Sequence, residues 1–368
     1  MEYLLILGLT IFGIFFNKKF SYANRKLFLF IIFLVIVLVF GFRYKVGGDT
    51  LIYMRMYNKA TPLDQFETIN FLKERVEPGF QFLSSFFKAF TKEFWPLQMF
   101  LAALTNGLIF IFINKNCKNP FIGVFLYLFM QCLYFTTEIL RESVAVGIFI
   151  LNYKNIEEKK LGKYYLFSIL SILFHYSAIF TLIIPFTKWL RLNIWFWIIC
   201  AGCFLITPLV KEFNQFISIA SIANRVDTYT KDAGVLNLNL RLGVFIRSGL
   251  PCIAALFFIY KYKFTTKFYH LILLQILLCC AAFAIPDIFL RLVNYVSLFT
   301  TVVLANLLVF KAIKPFLRVM LVSFALLTQS NFLYINYSRW YPYVSIFDTT
   351  EYSVRDKLAR HNFHQKWK

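Results

Sequence analysis

Residues 27–42 read Leu27-Phe28-Leu29-Phe30-Ile31-Ile32-Phe33-Leu34-Val35-Ile36-Val37-Leu38-Val39-Phe40-Gly41-Phe42, a run without one charge, entered from Arg25-Lys26 and left at Arg43. A helix lying on a soluble core would show polar residues every three or four positions. This run shows none, so its surroundings are apolar on every side. Further apolar runs cover 1–16, 95–113, 120–136, 139–153, 164–187, 193–210, 244–260, 268–285, 291–310 and 316–335. The 368 residues are 60% hydrophobic and 15% charged, with 47 Phe, 21 Tyr and a mean hydropathy of +0.66. Soluble domains carry about 25% charged residues. At about 20 apolar residues per span, the chain has room for about ten or eleven transmembrane helices. These observations predict an all-α polytopic integral membrane protein, with residues 1–368 as one membrane domain. They exclude a soluble enzyme with a single anchor, a disordered chain and a disulfide scaffold. The seven cysteines lie in or beside apolar runs, so packing as thiols is expected, and no metal ligation or cofactor.

A net charge of +21 would suggest nucleic acid in a soluble protein, but here it must first be sorted by membrane side. Segments 17–26, 114–118, 154–163, 188–191, 261–267 and 311–318 hold 18 Lys/Arg against only Glu157 and Glu158. That bias marks them as cytoplasmic and removes the nucleic-acid reading. The N-terminus, the loops 43–94 and 211–243 and the tail 336–368 are then expected outside. Within the first loop, 79–90 reads as an amphipathic, interfacial helix.

One anomaly of parity follows. Segments 154–163 and 188–191 both look cytoplasmic, yet a single apolar run, 164–187, separates them. Two half-length helices forming a re-entrant hairpin would solve this, with the turn at His175-Tyr176-Ser177. The alternative is one long tilted helix. Irregular backbone at that depth must line a cavity or be buried in protein.

Ionisable groups at membrane depth are costly and so are functional candidates. Arg141 follows Glu138 by one helical turn, so it either pairs with Glu138 or faces an anionic ligand at a helix start. His175 is the one histidine deep in an apolar run, and is either a satisfied structural group or a proton carrier. Arg241, Arg247 and Arg291 sit at external ends of late spans, where arginines hold phosphate oxygens or snorkel to lipid headgroups. Asp49 and Glu77 on the first loop are candidates for accepting a hydroxyl proton, although Asp49 after Gly47-Gly48 also suits a turn cap.

Taken in order, Arg43, Val46-Gly47-Gly48-Asp49-Thr50 and Tyr53, then Glu77-Pro78-Gly79-Phe80, Leu140-Arg141-Glu142-Ser143-Val144-Ala145 and Phe174-His175-Tyr176-Ser177-Ala178 resemble the EpsG family of bacterial exopolysaccharide proteins, over roughly residues 1–300. That family is similar to Wzy-type polymerases of O-antigen, capsule and exopolysaccharide. The resemblance implies a multi-pass protein of the bacterial cytoplasmic membrane that joins polyprenyl-diphosphate-linked oligosaccharide donor and acceptor at the outer face. It also implies membrane lipids, a chain-length regulator and a flippase of the same pathway as partners. The implied polar positions are Arg43, Asp49, Tyr53, Glu77, Arg141 and His175, with Arg291 beside them. A departure stands at Glu138-Ile139-Leu140-Arg141-Glu142, where relatives are expected to carry Asn and Gln around the arginine; this favours local pairing of Glu138 with Arg141. Two other functions compete: a lipid-oligosaccharide flippase or exporter, and a membrane O-acyltransferase. The second needs a catalytic histidine with a nearby arginine, and the run containing His175 has none.

Overall fold

The computed structural model describes residues 1–68, 76–205 and 242–366. Among these the regular secondary structure is all helical, with one isolated bridge between Arg43 and Ser345. Six helices are long and apolar enough to cross a membrane: Tyr22–Gly41, Trp95–Asn116, Pro120–Thr137, Leu242–Lys261, Ile288–Leu308 and Pro315–Ile335. Shorter apolar helices stand at Glu2–Phe16, Leu161–Phe174, Ile194–Cys203 and Tyr269–Ala281. The protein is an all-α, multi-pass membrane protein. Much of the loop expected at 211–243, including Arg241, lies outside the described residues. All seven cysteines are free, and six of them are buried.

The described residues divide into two compact units, Met1–Leu182 with Leu333–Lys368, and Ile183–Phe332. In the first, Leu140–Glu157 rises beside Trp95–Asn116 in the same direction: Thr105 meets Ser143 at 3.2 Å, and a Cβ on Gly147 would meet Leu108. The basic segments 114–118 and 154–163 therefore share one end. Phe20 and Phe28 pack on Phe121, which brings 17–26 to that end as well. The opposite end gathers the N-terminus, Arg43, Glu138 and the C-terminal segment. There Tyr3 Oη donates to Trp340 O at 3.2 Å, and Gly47 N–H donates to Arg339 O at 2.8 Å.

The C-terminal segment is an integral part of that end. Tyr44 stacks on Tyr352 with centroids 3.5 Å apart, and Lys45 pairs with Asp356 at 2.8 Å. Arg355 is fully buried and donates to the carbonyls of Lys45, Ser338 and Arg339. Burial pushes its guanidinium down to about 10. Gly47 has φ +113°, a conformation that glycine adopts without strain, and a Cβ there would strike Thr137.

Within 164–187 the chain breaks and turns back. Leu161–Phe174 is helical, His175 is extended (φ −158°, ψ 126°), and Tyr176–Trp189 continues as a 3-10 helix. Tyr164 Oη donates to Thr181 O at 2.5 Å. A straight helix would separate those residues by about 25 Å at 1.5 Å per residue, so the long tilted helix is ruled out.

Candidate active site

Three elements of the first unit bring their charged residues together. Glu77 precedes Pro78–Lys88, where Pro78 occupies the first helical turn without losing a needed hydrogen bond. Gly79 then lets this helix start lie against the end of Leu161–Phe174: a Cβ there would stand 2.9 Å from Leu173 O. That approach puts Glu77 beside His175. The imidazole Nδ1 lies 2.6 Å from Glu77 Oε1, and its Nε2 lies 3.6 Å from Glu142 Oε2. The other oxygen of Glu77 accepts a hydrogen bond from Arg141 Nη1. Glu77 and Glu142 are buried, at 4% and 3% exposure. The Arg141 guanidinium sits 5.9 Å from the ring centroids of both Tyr53 and Phe80. Among the described residues no set of three His, Cys, Asp or Glu side chains converges as metal ligands.

Burial alone would raise the Glu77 carboxyl. The hydrogen bond to His175 and the positive charge of Arg141 outweigh it and hold Glu77 below the usual carboxylate range. Glu77 is thus an anion fixed between a permanent cation and an imidazole. With Nδ1 turned to Glu77, Nε2 is the ring nitrogen on the Glu142 side. A proton arriving there would find Glu142 close enough to form an ion pair with it.

Glu138 and Arg141 do not form the expected local pair. Glu138 Oε1 instead accepts from Gly48 N–H at 2.6 Å, and its other oxygen lies 3.5 Å from Arg339 Nη1. A Cβ on Gly48 would lie 2.6 Å from that carboxylate. The physical reason is competition: Arg141 has Glu77 on its other side, while the Gly47-Gly48 turn brings a backbone N–H to Glu138.

The structure brings Tyr53, Glu77, Arg141 and His175 together. Tyr53 packs on Phe80, and its Oη donates to Glu138 O at 3.2 Å. Arg43 lies elsewhere in the unit: it is buried, donates to the carbonyls of Val46 and Phe40, and is pushed down to about 10 by burial. Asp49 occupies the N-cap position of Thr50–Lys59, but its side chain makes no cap hydrogen bond. Arg247 belongs to the second unit, where it stacks on Phe332 at 4.1 Å; Arg291 lies on Pro286–Leu308.

The sequence reading missed three kinds of residue. Glu142 is hidden beside Arg141 in its motif. Glu138 holds a turn contributed by a distant segment. Gln81, Ser84 and Ser85 share a helix face with Glu77 and are buried, while Phe82, Phe86 and Phe90 are exposed. The 79–90 helix is amphipathic as expected, yet inverted, with its polar stripe turned inward. Gln81 Oε1, Ser84 Oγ, Ser85 Oγ and Arg141 Nε are all buried without a protein partner. Such groups cost about 1–3 kcal/mol each when left dry, which marks this stripe as a place for water or ligand hydroxyls. The spacing 77, 81, 84 was a visible signal; only the inward direction was not.

No curated protein and no solved structure matches the chain. A family model described as EpsG family matches residues 26–345, a stretch that includes the whole charged cluster, and the chain belongs to the EpsG family.

Proposed function

We propose that this protein joins polyprenyl-diphosphate-linked oligosaccharide repeat units into a surface polysaccharide, at the outer face of the bacterial cytoplasmic membrane. Membership of a family associated with Wzy-like polysaccharide polymerases gives the class of reaction. The observation that carries the reading is Glu77, one buried carboxylate that holds both His175 and Arg141. In the proposed step His175 takes the proton of an acceptor sugar hydroxyl, whose oxygen bonds to the donor's anomeric carbon as the bond to the lipid diphosphate breaks. Glu77 orients the ring and, with Glu142, stabilises the imidazolium. Arg141 faces the substrate through Nε and is the candidate for holding the leaving diphosphate. Asp49 serves as an alternative base, and a chain-length regulator and flippase would share the pathway.

Replacing His175 by Gln keeps a hydrogen bond and removes the proton carrier. Cells with His175→Gln should insert the protein normally and accumulate single lipid-linked units. Wild-type amounts of long, normally acylated polymer between pH 6 and 8 would make His175 structural.

One observation favours a second reading. The fold supplies His175 with an arginine through Glu77, the feature an O-acyltransferase requires. That reading predicts full-length polymer lacking acyl groups in the same variant.

A further inference from the structure

A cavity of about 300 Å³ opens in the first unit, walled by the 43–54 segment, the start of Trp95–Asn116 and the C-terminal segment. It is separate in composition from the Glu77 cluster. The Thr50–Lys59 helix serves both: Thr50 and Met54 line the cavity, whereas Tyr53 and Tyr57 pack with Phe80 and Leu140. The volume is at the lower end of small-ligand sites, which run from about 300 to 1,000 Å³.

The lining has the chemistry of a sugar site. Trp95, Tyr44 and Tyr352 bring flat apolar surface, and Trp95 is 36% exposed. Glu93 offers an exposed carboxylate as acceptor. Arg43, buried to 1% exposure, has a donor, Nη2, with no protein partner. A sugar hydroxyl both donates and accepts, and a pyranose has an apolar C–H face that packs on aromatic rings. A diphosphate fits less well. Of the lining cations, Lys45 is already paired with Asp356 at 2.8 Å, and the exposed carboxylate of Glu93 adds a negative charge to the same lining as Arg43.

We propose that this cavity binds one or two sugar residues of the glycan, as a holding site beside the cluster. The substrate class rests on the polymerase reading, but the site can be tested apart from it. The full-length protein in lipid nanodiscs is titrated calorimetrically with lipid-free oligosaccharides released from the host's own polysaccharide. The wild type and a Lys92→Ala control should bind equally. Trp95→Ala and Glu93→Gln should each bind about tenfold more weakly, with unchanged melting temperatures confirming the fold. Unaltered binding in both variants, or none in the wild type, would overturn the site. In a parallel titration with farnesyl diphosphate, a loss confined to that probe, with oligosaccharide binding intact, would overturn the sugar assignment. Weakened oligosaccharide binding in these variants together with full polymer from His175→Gln would leave the cavity standing and remove the catalytic reading.

Discussion

The two units bury polar groups of different kinds. The interior of the first holds charges: Glu77, Glu138, Glu142, Arg43, Arg141 and Arg355, with His175 among them. Among the described residues of the second, the buried polar side chains are neutral amides, hydroxyls and thiols, with His270 as the buried titratable group. Thr300 Oγ1 donates to Gln275 Oε1 at 2.7 Å, Gln275 Nε2 to Ser248 O at 3.1 Å, and Gln329 Nε2 to Arg247 O at 2.8 Å. Neutral side chains suffice to join helices inside a membrane, at about 0.6 kcal/mol per hydrogen bond. Burying a carboxylate costs far more, and nothing in helix packing requires it. The difference gives the first unit, rather than the neutral scaffold of the second, the buried charge that calls for a function.

The largest effect should follow from removing the shared carboxylate. Glu77→Ala leaves Arg141 without its counter-ion and His175 without its orienting group. A broken buried pair costs about 3–5 kcal/mol, so the purified variant should melt well below wild type and make no polymer. A variant of wild-type stability would mean that Glu77 does not hold the site together. Next comes Arg141→Lys, which keeps the charge but loses the planar guanidinium that reaches Glu77 beside the rings of Tyr53 and Phe80. Loss of a charge-assisted hydrogen bond, at about 1.5–3 kcal/mol, should leave roughly a tenth of wild-type polymer or less. Output near wild type would reduce Arg141 to a simple counter-charge.

A smaller effect is expected from pH. The folded Glu77 carboxyl sits below its ordinary value. Its contribution is therefore complete above about pH 4.3, the unfolded value, and is lost as pH falls through the lower folded value. Wild-type melting temperature should drop on acidification below that point. Glu77→Gln should show a shallower fall, and parallel curves would place the acid-sensitive group elsewhere.

Much of this contrast was legible in the sequence, for physical reasons. Apolar runs such as 27–42 admit one environment, so the all-helical membrane fold follows directly. The reversal at His175 was legible too, because two basic segments on one side require an even number of crossings between them. The partners were not. Glu138 and Arg141 are three residues apart, and local spacing favours pairing them. What separates them is a turn at Gly47-Gly48 and a carboxylate at Glu77, both delivered by tertiary structure. The C-terminal segment escaped for the same reason: nothing around Arg355 signals that its guanidinium ties the carbonyls of Ser338 and Arg339 to that of the distant Lys45. In the 79–90 helix the period was readable, but the solvent on its outer face was not.

The smallest effect is the one that tests the neutral half of the comparison. Thr300 is 1% exposed, and its hydroxyl donates to Gln275 while lying 3.3 Å from Cys252 Sγ. Thr300→Val keeps the shape and removes that donor. Gln275 still reaches Ser248 O, so only one acceptor loses its partner. The expected cost is about 0.5–1.5 kcal/mol, with polymer length and amount unchanged. Thermal unfolding of purified protein and a polymer ladder from the same cells read the two quantities separately. If Thr300→Val abolished polymer while melting as predicted, the neutral network would belong to the reaction. Charge burial would then no longer distinguish the working unit from the scaffold.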